Sequence, residues 1–354
     1  MKKLLIIAGG TGGHIFPALA VAKAYQEKGK GEVYWLGAKG KLEEKIIEGK
    51  FPIDYLPISG MRGKNFFTKL KMPFQLIKSI FQAIRIIKKI NPDVVLAMGG
   101  YVSAPGSIAA KLLRKPLIIH EQNSIAGLTN RYLAKIADTV LEAFPHTLKQ
   151  AKTVGNPVRQ EIIHIPDPKT RLTPRTHTVH LLILGGSQGA HFINEKMPKI
   201  LKQFPTGCRP IVWHQAGMTD RRQVLEDYRA CLLDARVDDF IQNMFEAYEW
   251  ADVVIARSGA LTIAELAAAG LASILIPFPE AVDNHQYTNA KYLAEGGAAI
   301  ILEQKNFDDQ KLIDLLNSFL KDRIKIISMS ENARALAKPK ATEEIAGMLY
   351  TYST

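Results

Sequence analysis

The stretch LLIIAGGTGGHIFPALAVA, from Leu4 to Ala22, decides the fold of the first half of the chain. An apolar run reaches a cluster of glycines and continues as a pattern with apolar residues at helical spacing. A second stretch, LLILGGSQGAHFINEKM from Leu181 to Met197, repeats this order of strand, glycine loop and helix. The same corner therefore occurs twice, and only the first copy has a histidine directly after its last glycine.

Length and composition indicate a globular protein of two domains. The chain has 354 residues, of which 47% are hydrophobic, and both charge signs occur throughout. Its apolar runs are interrupted well before the roughly 20 residues of a membrane span, and the first run is too short for a signal peptide. Cys208 and Cys231 form neither a disulfide framework nor a metal pattern, as expected for a reducing cytoplasm.

The excess of positive charge is local. The formal net charge is +12, and no acidic residue lies between Asp54 and Asp93. That interval contains Arg62, Lys64, Lys69, Lys71, Lys78, Arg85, Lys88 and Lys89. Composition alone leaves nucleic acid, anionic lipid and simple solubility open as explanations.

Strand-like and helix-like patterns alternate in both halves. The sequence PDVVLAMGGYVSAPGSIAAKLL at 92–113 has a counterpart, ADVVIARSGALTIAELAAAGL, at 251–271. Such alternation predicts parallel sheets covered by helices, here two Rossmann-like domains joined by a proline-rich linker near 155–178. Ligands of such sheets bind beyond the carboxyl ends of the strands, so we expect a cleft between the domains. The predicted strands are Leu4–Ala8, Val33–Leu36, Val94–Met98, Leu117–His120, Val179–Leu184, Ile211–His214, Val253–Ala256 and Ser273–Pro277, with helices near Pro17–Glu27 and Ala104–Leu113.

The glycine corners favour an anion such as phosphate, because backbone N–H groups at a helix start are exposed there. Simple tight turns would explain a single corner equally well. The dinucleotide fingerprint fails because Ile15 replaces its third glycine, and no phosphate-binding G-x-x-x-x-G-K-[ST] motif occurs. A nucleotide bound in another way is the remaining interpretation.

Two side chains near the corners are candidates for chemistry. His14 could accept a hydroxyl proton, or could only pack against the turn, whereas we interpret His191 as a surface residue. Glu265 lies in an alanine-rich helix and needs a partner, which the two hydroxyls of a ribose would provide. Ser258 or Thr262 could cap that helix.

Six ordered motifs resemble the MurG family of bacterial glycosyltransferases. They are GGTGGHIFPALA, MGGYVSAPG, HEQNSIAGLTN, VGNPVR, GGSQGA and RSGALTIAELAAAG, and together they extend over nearly the whole chain. The resemblance implies an α/β GT-B fold, with two Rossmann-like domains whose parallel sheets face a central cleft. It places the first domain at 1–159, completed by a C-terminal helix at about 335–354, and the UDP-sugar domain at 160–334.

The resemblance also implies the reaction. The enzyme would move N-acetylglucosamine from UDP-N-acetylglucosamine to the C4 hydroxyl of the N-acetylmuramoyl sugar of lipid I, with inversion, giving lipid II. No cofactor and no metal ion are expected. A UDP-N-acetylglucosamine epimerase or hydrolase of the same fold is the alternative, and a nucleic-acid-binding protein is disfavoured because no binding motif is present.

Site residues follow from the same resemblance. His14 and Glu121 would be catalytic, and the acceptor side would include Gly99, Gly100, Tyr101 and His120. The residues implied to bind the donor are Thr11, Gly12, Gly13, Asn123, Arg159, Ser187, Ile241, Ala260, Leu261, Thr262, Ile263, Ala264, Glu265 and Gln286. Two places depart from the usual family pattern: Ala18, and the loop PEAVDNHQY, which leaves the role of His285 open.

The basic segment from Lys64 to Lys89 predicts contact with a membrane. From Pro73 onward, Phe74, Ile77, Phe81 and Ile84 form one apolar stripe, and Leu76, Ile80, Ala83 and Ile87 form another. One stripe can face the core while the other, flanked by Lys and Arg, contacts anionic lipid; alternatively, both face the core. We expect a peripheral protein at the cytoplasmic face of the bacterial inner membrane, with lipid I, UDP-N-acetylglucosamine and possible cell-wall synthesis proteins as partners.

Overall fold

The chain forms two compact units. We call residues 1–158 together with 339–354 the N-terminal unit, and residues 159–338 the C-terminal unit. The structure, a computed structural model, describes residues 2–29, 31–40, 42–58, 72–174, 178–186 and 189–352.

The N-terminal unit is built on a parallel sheet. Its strands are β1 Lys3–Ile7, β2 Glu32–Ala38, β3 Ile53–Leu56, β4 Val94–Ala97, β5 Leu117–Glu121, β6 Thr139–Glu142 and β7 Lys152–Thr153. Among the described residues these seven strands lie in the order β3-β2-β1-β4-β5-β6-β7. The central strands are buried on both faces, which explains why they read as continuous apolar runs.

The C-terminal unit repeats this plan. Its strands are β8 His180–Leu184, β9 Ile211–Gln215, β10 Ala235–Asp238, β11 Val253–Ala256, β12 Ala272–Leu275 and β13 Ala299–Ile301. They are parallel, in the order β10-β9-β8-β11-β12-β13, which corresponds strand for strand to β3-β2-β1-β4-β5-β6. This is the doubly wound Rossmann order, so the predicted fold class of two Rossmann-like parallel-sheet units is confirmed.

Helices connect the strands and cover both sheets. In chain order they are α1 Gly12–Gly29, α2 Leu42–Ile47, α3 Met72–Ile90, α4 Ser103–Leu112, α5 Leu128–Leu133, α6 Gln160–Ile163, α7 Pro168–Leu172, α8 His191–Leu201, α9 Arg221–Ala230, α10 Met244–Trp250, α11 Ala260–Ala269, α12 His285–Glu295, α13 Asp309–Lys321, α14 Arg323–Ala335 and α15 Ala341–Tyr352. No helix in the described ranges has the length and hydropathy needed to cross a bilayer.

The last helix, α15, belongs to the N-terminal unit. It packs along α1, where the rings of Tyr25 and Tyr350 lie 4.7 Å apart. Ile345 and Leu349 are fully buried in the core beneath α1. The chain therefore returns from the C-terminal unit to complete the first core.

All eight predicted strands are confirmed within two residues at each end, whereas one helix start is displaced and several short strands were missed. The strand expected at Ser273–Pro277 covers Ala272–Leu275, and Ile276 still donates its N–H to the Ala256 carbonyl oxygen at 2.9 Å before the turn at residues 279–280. The first helix begins at Gly12 rather than Pro17, since its glycines already adopt helical geometry. The short strands β3, β6, β7 and β10 were missed because polar residues interrupt their apolar runs, and β13 was missed because it is apolar but only three residues long.

One buried histidine lies in each sheet. His120 in β5 is fully buried, with Nε2 2.9 Å from the Gly155 carbonyl oxygen. His214 in β9 is also fully buried, between the Tyr228 hydroxyl at 3.0 Å and Asn194 Oδ1 at 3.1 Å. Burial lowers the pKa of His120 to about 4 and that of His214 to about 3, so both rings are neutral near pH 7.

Because both histidines are buried in the neutral form, we expect the protein to lose stability at mildly acidic pH. Below the ordinary histidine pKa of 6.5, the unfolded chain binds protons that the folded chain excludes until near pH 4 or 3. The free energy of unfolding, measured by urea titration, should therefore fall as the pH decreases from 7 to 4. Each histidine should contribute up to about 3 kcal/mol of this loss.

The His120→Gln variant separates the contribution of this ring. Glutamine retains a donor near Nε2 but does not titrate, so the variant should be less stable at pH 7 and lose less stability on acidification. The matched control is His164→Gln, at an exposed position. Equal pH dependence in the two variants would contradict the assignment to His120.

Candidate active site

The first glycine corner lies where the strand order of the N-terminal sheet reverses. β1 and β4 are neighbours, so the loops that follow them, at 8–11 and 98–102, lie side by side. Gly99 and Gly100 have φ angles of +99° and +85°, a region that favours glycine. A Cβ atom on Gly100 would collide with the carbonyl oxygen of Gly9. Glycine is therefore required for the two loops to approach this closely.

His14 lies within this corner, in the first turn of α1. Its Nδ1 is 3.1 Å from the Thr11 hydroxyl, and its ring rests on the backbone of Gly99. A Cβ atom on Gly99 would come within 2.7 Å of the His14 ring. The structure thus brings together the predicted residues Thr11, Gly12, Gly13, His14, Gly99, Gly100 and Tyr101, the last with 45% of its surface exposed.

A buried carboxylate that the sequence reasoning missed supports this corner. Glu43 of α2 is fully buried and accepts hydrogen bonds from the N–H groups of Gly10 at 3.1 Å and Ala38 at 2.9 Å. It lies so close to Gly9 that a Cβ atom there would not fit. The available signal was an acidic residue at a core-facing position of the short helix LEEKII.

Glu121, at the end of β5, holds the following loop. Its carboxylate is buried and accepts hydrogen bonds from the N–H groups of Asn123 at 2.9 Å and Gly127 at 3.1 Å, and from Asn130 Nδ2 at 2.9 Å. These contacts give Glu121 a positioning function for the HEQN loop. Its predicted catalytic role stays a prediction.

His120 takes part in the same loop support. Its other ring nitrogen, Nδ1, lies 3.1 Å from Gln122 Nε2. With the ring neutral, Nε2–H donates to Gly155 and Nδ1 accepts from Gln122. His120 is fully buried inside the N-terminal unit, beneath the HEQN loop. Its predicted place on the acceptor side of the site stays a prediction.

The second glycine corner occupies the matching place in the C-terminal sheet, after β8 and beside β11. Gly186 and Gly189 have φ angles of +79° and +77°. Gln215 Nε2 donates to the Gly186 carbonyl oxygen at 3.0 Å and fixes the loop. Ser187 lies outside the described residues. His191 has an exposed side chain, with Nδ1 3.1 Å from Asp220 Oδ2.

α11 points its N-terminus toward the end of this sheet. Its N-cap residue is Gly259, without a side-chain cap, so the expectation that Ser258 or Thr262 caps the helix is wrong. The Ser258 hydroxyl is instead buried. At the other end, Arg171 donates to the Gly270 carbonyl oxygen at 3.0 Å and Arg334 to that of Ala269 at 3.1 Å. Two cations thus stabilise the negative end of the helix dipole.

Glu265 of α11 is 4% exposed and has protein partners. Its Oε1 forms an ion pair with Arg159 Nε at 3.3 Å, and its Oε2 accepts a hydrogen bond from the Tyr248 hydroxyl at 3.0 Å. Desolvation raises the pKa of the Glu265 carboxyl, and Arg159 and Tyr248 act in the opposite direction. The partner that this carboxylate was expected to need is therefore already supplied by the protein, and the predicted ribose contact stays a prediction.

The remaining predicted donor residues lie in the same unit. Ile241 is buried in the segment that follows β10. Gln286, in the first turn of α12, accepts a hydrogen bond from the Phe278 N–H at 2.9 Å. His285 Nδ1 lies 2.7 Å from the Val282 carbonyl oxygen. The first turn of α11 contains Ala260, Leu261, Thr262, Ile263 and Ala264.

Comparisons with known proteins cover both units. The profile of the glycosyltransferase family 28 N-terminal domain matches residues 4–142, and that of the family 28 C-terminal domain matches residues 180–345. A relative from Coxiella burnetii is 49% identical over 348 residues, 98% of this chain and 97% of that protein. It is named UDP-N-acetylglucosamine–N-acetylmuramyl-(pentapeptide) pyrophosphoryl-undecaprenol N-acetylglucosamine transferase.

Solved structures agree with this match. The crystal structure of Acinetobacter baumannii MurG superposes with a TM-score of 0.86 at 36% identity, covering 99% of this chain and 100% of that one. A UDP-GlcNAc 2-epimerase from Neisseria meningitidis superposes with a TM-score of 0.67 at 12% identity, covering 99% of this chain and 100% of that one, and shares the fold alone. The chain belongs to glycosyltransferase family 28 and, within it, to the MurG family.

Proposed function

We propose that this protein transfers N-acetylglucosamine from UDP-N-acetylglucosamine to the N-acetylmuramoyl sugar of lipid I, giving lipid II. The observation that carries the proposal is the difference between the two glycine corners. One holds a histidine against its glycines, and the other lies beside the N-terminus of α11, where Glu265 is paired with Arg159. The name of the Coxiella burnetii relative describes this same transfer.

The C-terminal unit supplies the donor side. The first N–H groups of a helix have no acceptor within it, so the start of α11 favours the negative charge of a diphosphate. Arg159 adds a cation nearby, and Glu265 offers carboxylate oxygens to the ribose hydroxyls. Uridine diphosphate leaves with the electron pair of the broken bond, so stabilisation of its charge is the main contribution of this unit.

The N-terminal unit supplies the acceptor side. The C4 oxygen of the acceptor sugar attacks the anomeric carbon of N-acetylglucosamine while the bond to uridine diphosphate breaks, which inverts that carbon. The hydroxyl proton passes to His14. When Nδ1–H of His14 donates to the Thr11 hydroxyl, the lone pair that receives the proton is on Nε2.

An epimerase or hydrolase is the competing function, because such enzymes share the fold. Similarity to the epimerase is low, at 12% identity, whereas the Acinetobacter baumannii MurG structure is 36% identical over nearly the same length. The transferase is therefore favoured.

A labelled-donor assay tests the function. The full chain is incubated with UDP-N-acetylglucosamine labelled in the sugar, with and without a lipid I analogue. We expect label in the lipid fraction only when the analogue is present. Free labelled sugar or its epimer, formed at the same rate without acceptor, would support the competing function instead.

His14→Ala tests the proposed base. Turnover should fall by about 10²–10⁴-fold, while donor affinity and the free energy of unfolding change little. His191→Ala is the matched control, because this histidine follows the second corner and is exposed. Near-normal turnover of His14→Ala would show that another group accepts the proton.

The membrane-facing surface is proposed to lie on α3. In this helix Ala83 and Ile87 are buried in the core, whereas Phe74, Ile77 and Phe81 are 76%, 51% and 63% exposed. Lys64, Lys69 and Lys71, also expected at this surface, lie outside the described residues. The exposed apolar stripe is flanked by Lys78, Arg85, Lys88 and Lys89, which are exposed as well. This combination fits peripheral binding to anionic lipid at the cytoplasmic face of the inner membrane.

Charge reversal on α3 tests that surface. The variant Lys78→Glu/Arg85→Glu/Lys89→Glu should bind phosphatidylglycerol-containing vesicles roughly a hundredfold more weakly, because each basic residue contributes about 1 kcal/mol. Binding is measured by co-sedimentation at low salt. The control, Lys202→Glu/Lys311→Glu/Lys321→Glu, makes the same charge change at exposed positions of the C-terminal unit. Equal loss in both variants would contradict a surface on α3.

A further inference from the structure

Tyr248 is a buried side chain next to the proposed donor site. It belongs to α10, is 1% exposed, and donates its hydroxyl hydrogen to Glu265 Oε2 at 3.0 Å. Neither the glycine motifs nor the helix that follows them includes this residue. Its contact nevertheless fixes the side chain proposed to hold the ribose.

The geometry gives each carboxylate oxygen of Glu265 a different partner. Arg159 Nε lies 3.3 Å from Oε1, and the Tyr248 hydroxyl lies 3.0 Å from Oε2. A carboxylate held at both oxygens has a fixed plane, which sets the directions of its remaining lone pairs. Two vicinal hydroxyls need such a fixed acceptor, because a rotating carboxylate would lose orientational entropy on binding.

We propose that Tyr248 is a positioning residue for the donor nucleotide, holding the Glu265 carboxylate in the orientation that accepts the ribose hydroxyls. The proposal rests on the proposed function, since it concerns the same donor site. Tyr248 acts through Glu265 and need not touch the nucleotide.

Burial and the neighbouring charges also make the ionisation of Glu265 depend on Tyr248. Desolvation raises the pKa of Glu265, while Arg159 and the Tyr248 hydrogen bond lower it. Desolvation, and then the charge of Glu265, raises the pKa of Tyr248, so its hydroxyl stays protonated and donates. From the other elements packed on α11, Arg334 of α14 lies at the opposite end of the helix, and Asn289 of α12 donates to the Ser258 carbonyl oxygen. Loss of the Tyr248 hydroxyl therefore removes a main support of the charged carboxylate.

Tyr248→Phe should weaken binding of UDP-N-acetylglucosamine roughly tenfold at pH 7, and by a larger factor at lower pH, because the hydrogen bond that lowers the pKa of Glu265 is lost. The donor KM should rise with kcat changed by less than about twofold, because the lost hydrogen bond acts on binding. Affinity is measured by calorimetry between pH 5.5 and 8. Glu265→Gln serves as the reference for a carboxylate that cannot ionise.

Tyr228→Phe is the matched control. Tyr228 is also fully buried in the C-terminal unit and its hydroxyl lies 3.0 Å from His214 Nδ1, so the same substitution removes one buried hydrogen bond elsewhere. Both variants should lose similar stability, and only Tyr248→Phe should change the pH profile of donor binding.

The outcomes separate the two proposals. If the wild-type protein does not bind UDP-N-acetylglucosamine, the proposed function fails, and this inference fails with it. If the wild type binds and transfers the sugar, but Tyr248→Phe matches Tyr228→Phe in affinity and pH profile, only the inference is overturned. Normal donor affinity of Glu265→Gln would also overturn it, since Tyr248 acts through that carboxylate.

Discussion

Buried carboxylates that accept hydrogen bonds from backbone N–H groups hold the loops at the carboxyl end of the N-terminal sheet. Glu43 holds the loop after β1, and Glu121 holds the loop after β5. Glu142, at the end of β6, accepts from the N–H groups of His146 at 3.0 Å and Leu148 at 2.9 Å and from the Thr153 hydroxyl at 2.8 Å. A buried carboxylate is stable only with such donors, so each of these loops is fixed by an interaction that is costly to break.

In the C-terminal unit, side chains that donate hydrogen bonds contact the segments that follow β8, β9 and β12. Gln215 donates to the Gly186 carbonyl oxygen, Asn194 to that of Ala216 at 2.8 Å, and Arg257 to those of Ile276 and Pro277 at 3.0 and 3.1 Å. In the loop after β9, the Asp220 carboxylate also accepts a hydrogen bond from Asn194 Nδ2 at 3.0 Å.

The sequence predicted what depends on local pattern. Two strand–glycine–helix corners and alternating apolar runs were sufficient for two parallel sheets, since buried strands and glycine turns leave strong local signals. Contacts between distant segments were not predictable. The partners of Glu265 come from Arg159 and from Tyr248 on α10, and the acid beneath the first corner comes from Glu43 on α2. Such pairs form only when distant segments pack together, so they cannot be predicted from the spacing of residues in the sequence.

The repeat also explains why a histidine follows only one corner. Strands β4 and β11 are equivalent in the two repeats, so Gly99 corresponds in the aligned sequences to Ser258, and Gly100 corresponds to Gly259. The His14 ring rests where a Cβ atom of Gly99 would be, whereas Ser258 has a side chain and is fully buried. Gly100 has a φ of +85°, while Gly259 has an ordinary φ of −61° and is the N-cap residue of α11. One corner is therefore opened by glycines to admit an imidazole, and the other is filled and ends at a helix N-terminus, so a single duplicated framework provides the proposed base in one unit and the proposed anion site in the other.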